Sequence, residues 1–156
     1  MIKLVRVDHR LVHGQVAFSW TKYLDADCIL IANDALTRNE LKRSAMKLAT
    51  PSGVKLVMKS VDDSITALNS GVTDKYKLMI LLESVEDAYR VTEKVKFIKS
   101  INLGGMKSAA NRRQISKAVH VSDEDVTLLK KMRSEGVEFE IRLVPNDVEQ
   151  DPMKLI

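Results

Sequence analysis

The 156-residue chain holds one cysteine, three prolines and six glycines, and only 4% of its residues are aromatic. No stretch approaches the roughly 18 consecutive apolar residues that a membrane helix needs. Each shortage excludes something. A single thiol, Cys28, cannot close an internal disulfide, and in the apolar run Cys28-Ile29-Leu30-Ile31 it is expected as a small buried hydrophobe in a reducing compartment. The prolines and glycines are scattered, with no repeat, low-complexity block or linker between them, so one domain is expected over residues 1–156. So few aromatics supply no stacking platform for single-stranded nucleic acid, and neither a zinc-finger nor an RNP-type pattern occurs, so no nucleic-acid partner is expected. Lys3, Arg6 and Asp8 break the apolar start and exclude a signal-peptide core there, which makes the expected location cytoplasmic. The chain has no Gly-x-x-x-x-Gly-Lys-Ser/Thr loop and no Gly-x-Gly-x-x-Gly after a strand, so no nucleotide cofactor is expected. A Gly-x-Ser-x-Gly elbow is also missing, which argues against a serine hydrolase.

What is present is an alternation of apolar runs with helical periodicity. Ile2 to Val7, Cys28 to Ala32, Val54 to Met58, Leu78 to Leu82 and Ser100 to Leu103 read as strands. Helices are expected between them: one through Val16, Trp20 and Leu24, one through Leu36, Leu41, Ala45 and Leu48 after a polar Asn33-Asp34 turn, one over Val61 to Leu68, and one from Ser84 through Val95. Ile115 to Val121 carries mixed strand signals. Ser122-Asp123-Glu124-Asp125 opens a further helix with acids, and Lys130, Lys131 and Arg133 close it before Gly136, matching the helix dipole at both ends. Val137, Phe139, Ile141 and Leu143 alternate with Glu138, Glu140 and Arg142, as in a strand at a sheet edge, and the last residues read as a loose tail. The expected fold class is α/β: three-layer α/β/α with a mainly parallel central sheet and an antiparallel C-terminal strand. The exposed edge near Val137 to Leu143 allows a homo-oligomer by strand pairing, although Glu138, Glu140 and Arg142 also serve to protect such an edge.

The most informative segment is Val5-Arg6-Val7-Asp8-His9-Arg10-Leu11-Val12-His13-Gly14-Gln15-Val16. It puts a histidine, an arginine and a glycine where a strand hands over to a helix, and open parallel sheets bind ligands at the carboxyl ends of their strands. A helix N-terminus favours an anion and disfavours an imidazolium, so His13 is a candidate nucleophile. Arg10 is a candidate phosphoryl clamp, because a planar guanidinium can hold two oxygens at once. Gly14 and Gln15 would offer backbone amides, and Asp8 would orient Arg10 or His13. Gly105, in the turn Gly104-Gly105-Met106, and Asp34 are further candidates. Two other readings stand beside this one. Arg10 could simply pair with Asp8 while His13 caps the helix, or His9 and His13 could ligate a metal with Asp8, although no third histidine or cysteine lies nearby and no metal site is expected. His120 stands alone and reads as structural.

The segment Val7 to Val16 resembles the active loop of the IIB components of the mannose/fructose/sorbose family of bacterial phosphoenolpyruvate-dependent phosphotransferase systems (PTS). Asn102-Leu103-Gly104-Gly105-Met106, Ala118-Val119-His120-Val121-Ser122 and Gly136-Val137-Glu138-Phe139-Glu140-Ile141-Arg142 read like that family in the same order, so the match covers nearly the whole chain. The resemblance implies that His13 accepts a phosphoryl group from a phosphorylated IIA component, on the ring nitrogen nearer the backbone. It implies transfer to a sugar of the mannose, fructose, sorbose or N-acetylhexosamine class, taken up through the membrane IIC and IID components. No cofactor is implied, and membrane association would be peripheral, through IIC and IID. Arg10 matches the family's arginine. Many relatives have aspartate where this chain has His9. The basic excess, 25 Lys and Arg against 21 Asp and Glu, fits an acidic protein partner, with Lys107, Arg112, Arg113 and Lys117 as a candidate docking border.

Overall fold

Residues 1–156 are described by a computed structural model. The strands are β1 (Ile2–Asp8), β2 (Cys28–Ala32), β3 (Lys55–Lys59), β4 (Leu78–Leu82), β5 (Ser100–Gly105), β6 (Arg113–Ser116), β7 (Val119–Val121) and β8 (Glu138–Ile141). The α-helices are α1 (Gly14–Leu24), α2 (Glu40–Ala49), α3 (Val61–Ser70), α4 (Val85–Lys94) and α5 (Asp123–Ser134), with 3-10 turns at Ala35–Arg38 and Pro152–Lys154. Six strands form one sheet in the order β3-β2-β4-β1-β5-β8, and every neighbouring pair in it is parallel. β6 and β7 form a separate antiparallel hairpin.

Alternation along the central strands divides the core into two layers. Leu78, Ile80 and Leu82 of β4 face a cluster of 26 buried residues that includes side chains of α3, α4 and α5, and Met79 and Leu81 face a cluster of 11 under α1 and α2. β2 divides the same way, with Cys28, Leu30 and Ala32 on one side and Ile29 and Ile31 on the other. Cys28 is buried, and burial pushes its thiol above its ordinary pKa, which fits the structural role expected of it. The layer under α1 is the smaller one because part of its sheet face is polar. At the parity of Leu4, β1 carries Arg6 and Asp8, and at the parity facing away from Ile101 and Leu103, β5 carries Asn102.

Three expectations are corrected. The C-terminal strand β8 is parallel to β5, in register Ser100 to Glu138 through Leu103 to Ile141, because the chain crosses over through α5 before re-entering the sheet. Antiparallel pairing occurs in the β6–β7 hairpin and in a single bridge from Gln150 to Ile141, which covers part of the β8 edge. The tail is therefore not loose: Pro152 is buried and Met153 and Ile156 pack on the larger core cluster. The helix expected from Leu36 to Leu48 is broken at Asn39, whose extended backbone ends the 3-10 turn and whose side chain accepts from the Lys42 amide to cap α2. The inward face of α2 is set by Met46, so Leu41, Ala45 and Leu48 lie in solvent.

Candidate active site

β1 sits beside β4 and β5, and the chain leaves it towards the α1 face, while after β5 it turns to the hairpin and then to α5 on the opposite face. The carboxyl ends of β1 and β5 therefore open a crevice of the kind that holds ligands in parallel sheets. The β1–α1 loop forms one side. Leu11 and Val12 are buried in the α1 layer and anchor it, the amide of Leu11 bonds the carbonyl of Asp8 at 2.9 Å, and Leu11 itself takes a left-handed backbone (φ 58°). A left-handed leucine costs on the order of 1 kcal/mol, strain that the buried side chain offsets. With Leu11 and Val12 turned inward, His13 and Arg10 stay at the surface, their side chains 21% and 44% exposed.

Asp8 is the hub. Its side chain is fully buried and accepts from Arg6 Nη2 at 3.0 Å and His13 Nε2 at 2.9 Å on Oδ2, and from the Arg10 amide at 3.0 Å and Arg10 Nε at 3.3 Å on Oδ1. Burial opposes its charge, but the bond from His13, the Arg10 amide and the Arg6 guanidinium prevail and hold the carboxyl far below the usual range. An ionised Asp8 makes His13 Nε2 the protonated nitrogen, and Nδ1 of the neutral ring then carries the lone pair. The alternative in which Arg10 pairs with Asp8 and His13 caps the helix holds in its first half only: Arg10 pairs with Asp8, whereas His13 occupies the N-cap position of α1 but its side chain caps nothing. Each of α2 to α5 has a side-chain cap, from Asn39, Ser60, Ser84 and Ser122, whereas α1 has none and no acid in its first turn. The amides of Gly14, Gln15 and Val16 are free of such caps beside the His13 ring. Gly14 has a positive φ of 40° and open space where a Cβ would stand.

The residue that sequence reasoning missed is Arg6, read there only as a break in an apolar run. It is 1% exposed and donates from Nη1 to Asn102 Oδ1 at 2.7 Å and to the Arg142 carbonyl at 3.0 Å. Its guanidinium lies 5.5 Å from the centre of the Trp20 ring, with Arg142 5.0 Å from that ring. Trp20 in turn donates to the Leu143 carbonyl at 2.9 Å. A buried arginine at this position is visible in sequence only as a charge at strand parity with Asp8; its guanidinium lies against Gly104 because β1 pairs Arg6 with Asn102, a strand pairing no local pattern reveals.

Gly105 lies beside the cluster: its carbonyl accepts from the His9 amide at 3.0 Å, and a Cβ there would stand 3.0 Å from Asp8 Oδ1. Asp34 is not part of it. Oδ1 accepts from the Val61 amide at the start of α3 and Oδ2 pairs with Arg90 at 2.8 Å, so this carboxylate joins α3 and α4. Beyond Arg10 lies a cleft of about 420 Å³ lined by His9, Arg10, Lys107, Lys117 and His120, among others. His9 Nδ1 is buried, 4.0 Å from Asp8 Oδ1, and makes no hydrogen bond. His120 Nδ1 is 3.1 Å from the Met106 carbonyl, which supports the structural role expected of it. The Gly-Gly turn expected from sequence is instead the end of strand β5, and Met106 bridges to Val119. Arg112 is held by Asp125 at 3.3 Å and Arg113 reaches the Leu155 carbonyl, so of the four basic residues singled out after Gly104-Gly105, Lys107 and Lys117 face the cleft.

The sign of the pH dependence follows from Asp8. Its folded pKa is depressed, so its contribution to stability is fully present above the ordinary carboxylate value of 3.8 and is lost as the pH falls below it, where the unfolded chain takes up a proton that the native site refuses. An Asp8→Asn protein is expected to lose stability at neutral pH, by about 3–5 kcal/mol because Arg6 is left buried without its counter-charge. It is also expected to unfold with a weaker dependence on pH below 4, which denaturant titration across that range measures.

A family model described as PTS system sorbose subfamily IIB component matches residues 2–156. The fructose-specific EIIB component of Bacillus subtilis (strain 168) is 32% identical over 155 residues, which cover 99% of this chain and 95% of that one. The mannose-specific EIIAB component of Escherichia coli (strain K12) is 31% identical over the whole chain, which covers 48% of that protein. The crystal structure of the IIBSor domain of the sorbose permease from Klebsiella pneumoniae superposes with a TM-score of 0.93 at 27% identity, covering 99% of this chain and 94% of the other.

Proposed function

The chain belongs to the sorbose-subfamily IIB components of the phosphotransferase system, and from that premise we propose that it carries a phosphoryl group on Nδ1 of His13. The observation that carries this reading is the 2.9 Å contact of Nε2 with a buried, ionised Asp8, which leaves Nδ1 as the nucleophile beside the uncapped N-terminus of α1. In the first transfer, Nδ1 attacks the phosphorus of a phosphohistidine on the donor. The donor's N–P bond breaks as the new one forms, and the electron pair returns to the donor imidazole. Nε2–H keeps its bond to Asp8 throughout, so the carboxylate orients the ring in both states and stabilises the positive charge it takes on. In the second transfer a sugar hydroxyl oxygen attacks phosphorus, its proton passes to a base or water on the acceptor's side, the N–P bond breaks and the electron pair returns to Nδ1. Charge on the transferring group falls on its equatorial oxygens, where the Arg10 guanidinium and the amides of Gly14 and Gln15 would meet it.

The proposed donor is a phosphorylated IIA component, a partnership supported by the name of the E. coli relative, EIIAB, on one chain. The proposed acceptor is a sugar of the mannose, fructose, sorbose or N-acetylhexosamine class, delivered by IIC and IID components. Intact mass after incubation with a phosphorylated donor tests the reading directly. Because Arg10 is nearly half exposed, an Arg10→Ala change is expected to leave the melting temperature within a few degrees of wild type. Single-turnover quench-flow should show transfer slowed on the order of 10²-fold or more. Reversing charge at Lys107 and Lys117 together is expected to lower the association rate with the donor, with a flatter salt dependence and an unchanged rate of transfer within the complex, measured by stopped flow.

A further inference from the structure

The two helical layers of the sandwich differ in charge. α1 and α2 carry one carboxylate, Glu40, against Lys22, Lys42, Arg43 and Lys47, while α3, α4 and α5 carry eight carboxylates against five bases. The same α1–α2 layer exposes large apolar side chains that its packing does not explain. Leu41 and Leu48, seven residues apart and so on one stripe of α2, are 84% and 89% exposed, and the residues between them on that stripe, Ser44 and Ala45, are also exposed. On α1, Phe18 is 51% exposed, with the Lys22 ammonium 5.9 Å from its ring. Arg38, in the turn preceding α2, adds another base.

Exposed leucines ringed by lysine and arginine on a short surface helix fit a surface that is negative at its plane and apolar just beneath. We propose that the α1–α2 face docks on an anionic lipid bilayer, with Leu41, Leu48 and Phe18 entering the interface and Lys22, Lys42, Arg43 and Lys47 meeting the headgroups. Charge complementarity decides for lipid over a second copy of the chain, since two such faces would bring like charges together. α1 begins at Gly14, with His13 at its N-cap, so the loop of Asp8 to His13 lies at the rim of this face and stays open to a protein arriving from the side. Lipid docking by this face does not depend on phosphoryl transfer.

The test is flotation of the full chain with vesicles of phosphatidylglycerol and phosphatidylcholine, or of phosphatidylcholine alone. Binding is expected to the anionic vesicles only, to be released by salt, and to fall roughly tenfold or more in Leu41→Gln/Leu48→Gln and in Lys42→Glu/Lys47→Glu. These positions lie outside the Asp8 cluster, so both variants should keep wild-type circular dichroism and melting. No binding to anionic vesicles at low salt overturns the proposal, as does binding that neither variant weakens. Sedimentation velocity showing a wild-type dimer that the leucine variant dissociates, without vesicle binding, would assign the face to self-association instead.

Discussion

A His13→Ala protein is expected to fold and to accept no phosphoryl group. In the wild type, incubation with phosphoenolpyruvate, the general phosphotransferase proteins and a matching IIA component should add one acid-labile phosphoryl group, read by intact mass. In the variant the rate should fall on the order of 10⁴-fold or more, because Arg10 and the α1 amides can bind a phosphoryl group but supply no nucleophile to form the bond. The structural cost is modest. Asp8 keeps its bonds from Arg6 and from the amide and Nε of Arg10 when the imidazole is gone, so the loss is about that of one charged hydrogen bond, ~1.5–3 kcal/mol. Acceptance of one full group by His13→Ala would move the acceptor elsewhere, with His9 the nearest imidazole to Asp8 after His13.

The second large effect is on stability. Gly104→Ala is expected to cost about 3–5 kcal/mol, since a Cβ at Gly104 would overlap the Arg6 guanidinium. A flexible side-chain end can usually step aside, but this one is fixed on four sides: by Asp8, Asn102, the Arg142 carbonyl and the Trp20 ring. Displacing it strands a buried cation and also removes a support of Asp8, so thermal unfolding should drop by on the order of 10 °C. The survivors should show a weakened His13 site. Gly105→Ala is the comparison, for there the Cβ meets Asp8 Oδ1 at 3.0 Å and Arg10 Nη2 at 3.4 Å, contacts that a small shift relieves.

These two positions show what a sequence can and cannot reveal about such a site. The loop from Asp8 to Gly14 was legible because its signals are local: an apolar strand ends, a glycine follows, and helical spacing begins at Val16. The first five strands of the sheet were legible for the same reason, from apolar runs separated by helical periods, each run long enough for one strand. Arg6 was not, since its meaning depends on Asn102 and Gly104 across a strand pairing and on Trp20 from the helix above. Asp34 was misassigned through its place after a strand, where its partners turn out to be Arg90 and the α3 amide. The direction of β8 could not be read from alternation, which is the same in parallel and antiparallel edge strands. In α2, helical spacing is compatible with more than one inward face, and the break at Asn39 placed Met46 inside and the leucines outside.

The central claim is that Asp8, by holding Nε2, reserves Nδ1 for the phosphoryl group. Long-range ¹H–¹⁵N correlation NMR of the ¹⁵N-labelled, phosphorylated protein distinguishes the two nitrogens. Phosphorus is expected on Nδ1 of His13, with Nε2 still protonated towards Asp8. Phosphorus on Nε2 would contradict it, because that nitrogen could not then donate to the carboxylate it faces at 2.9 Å.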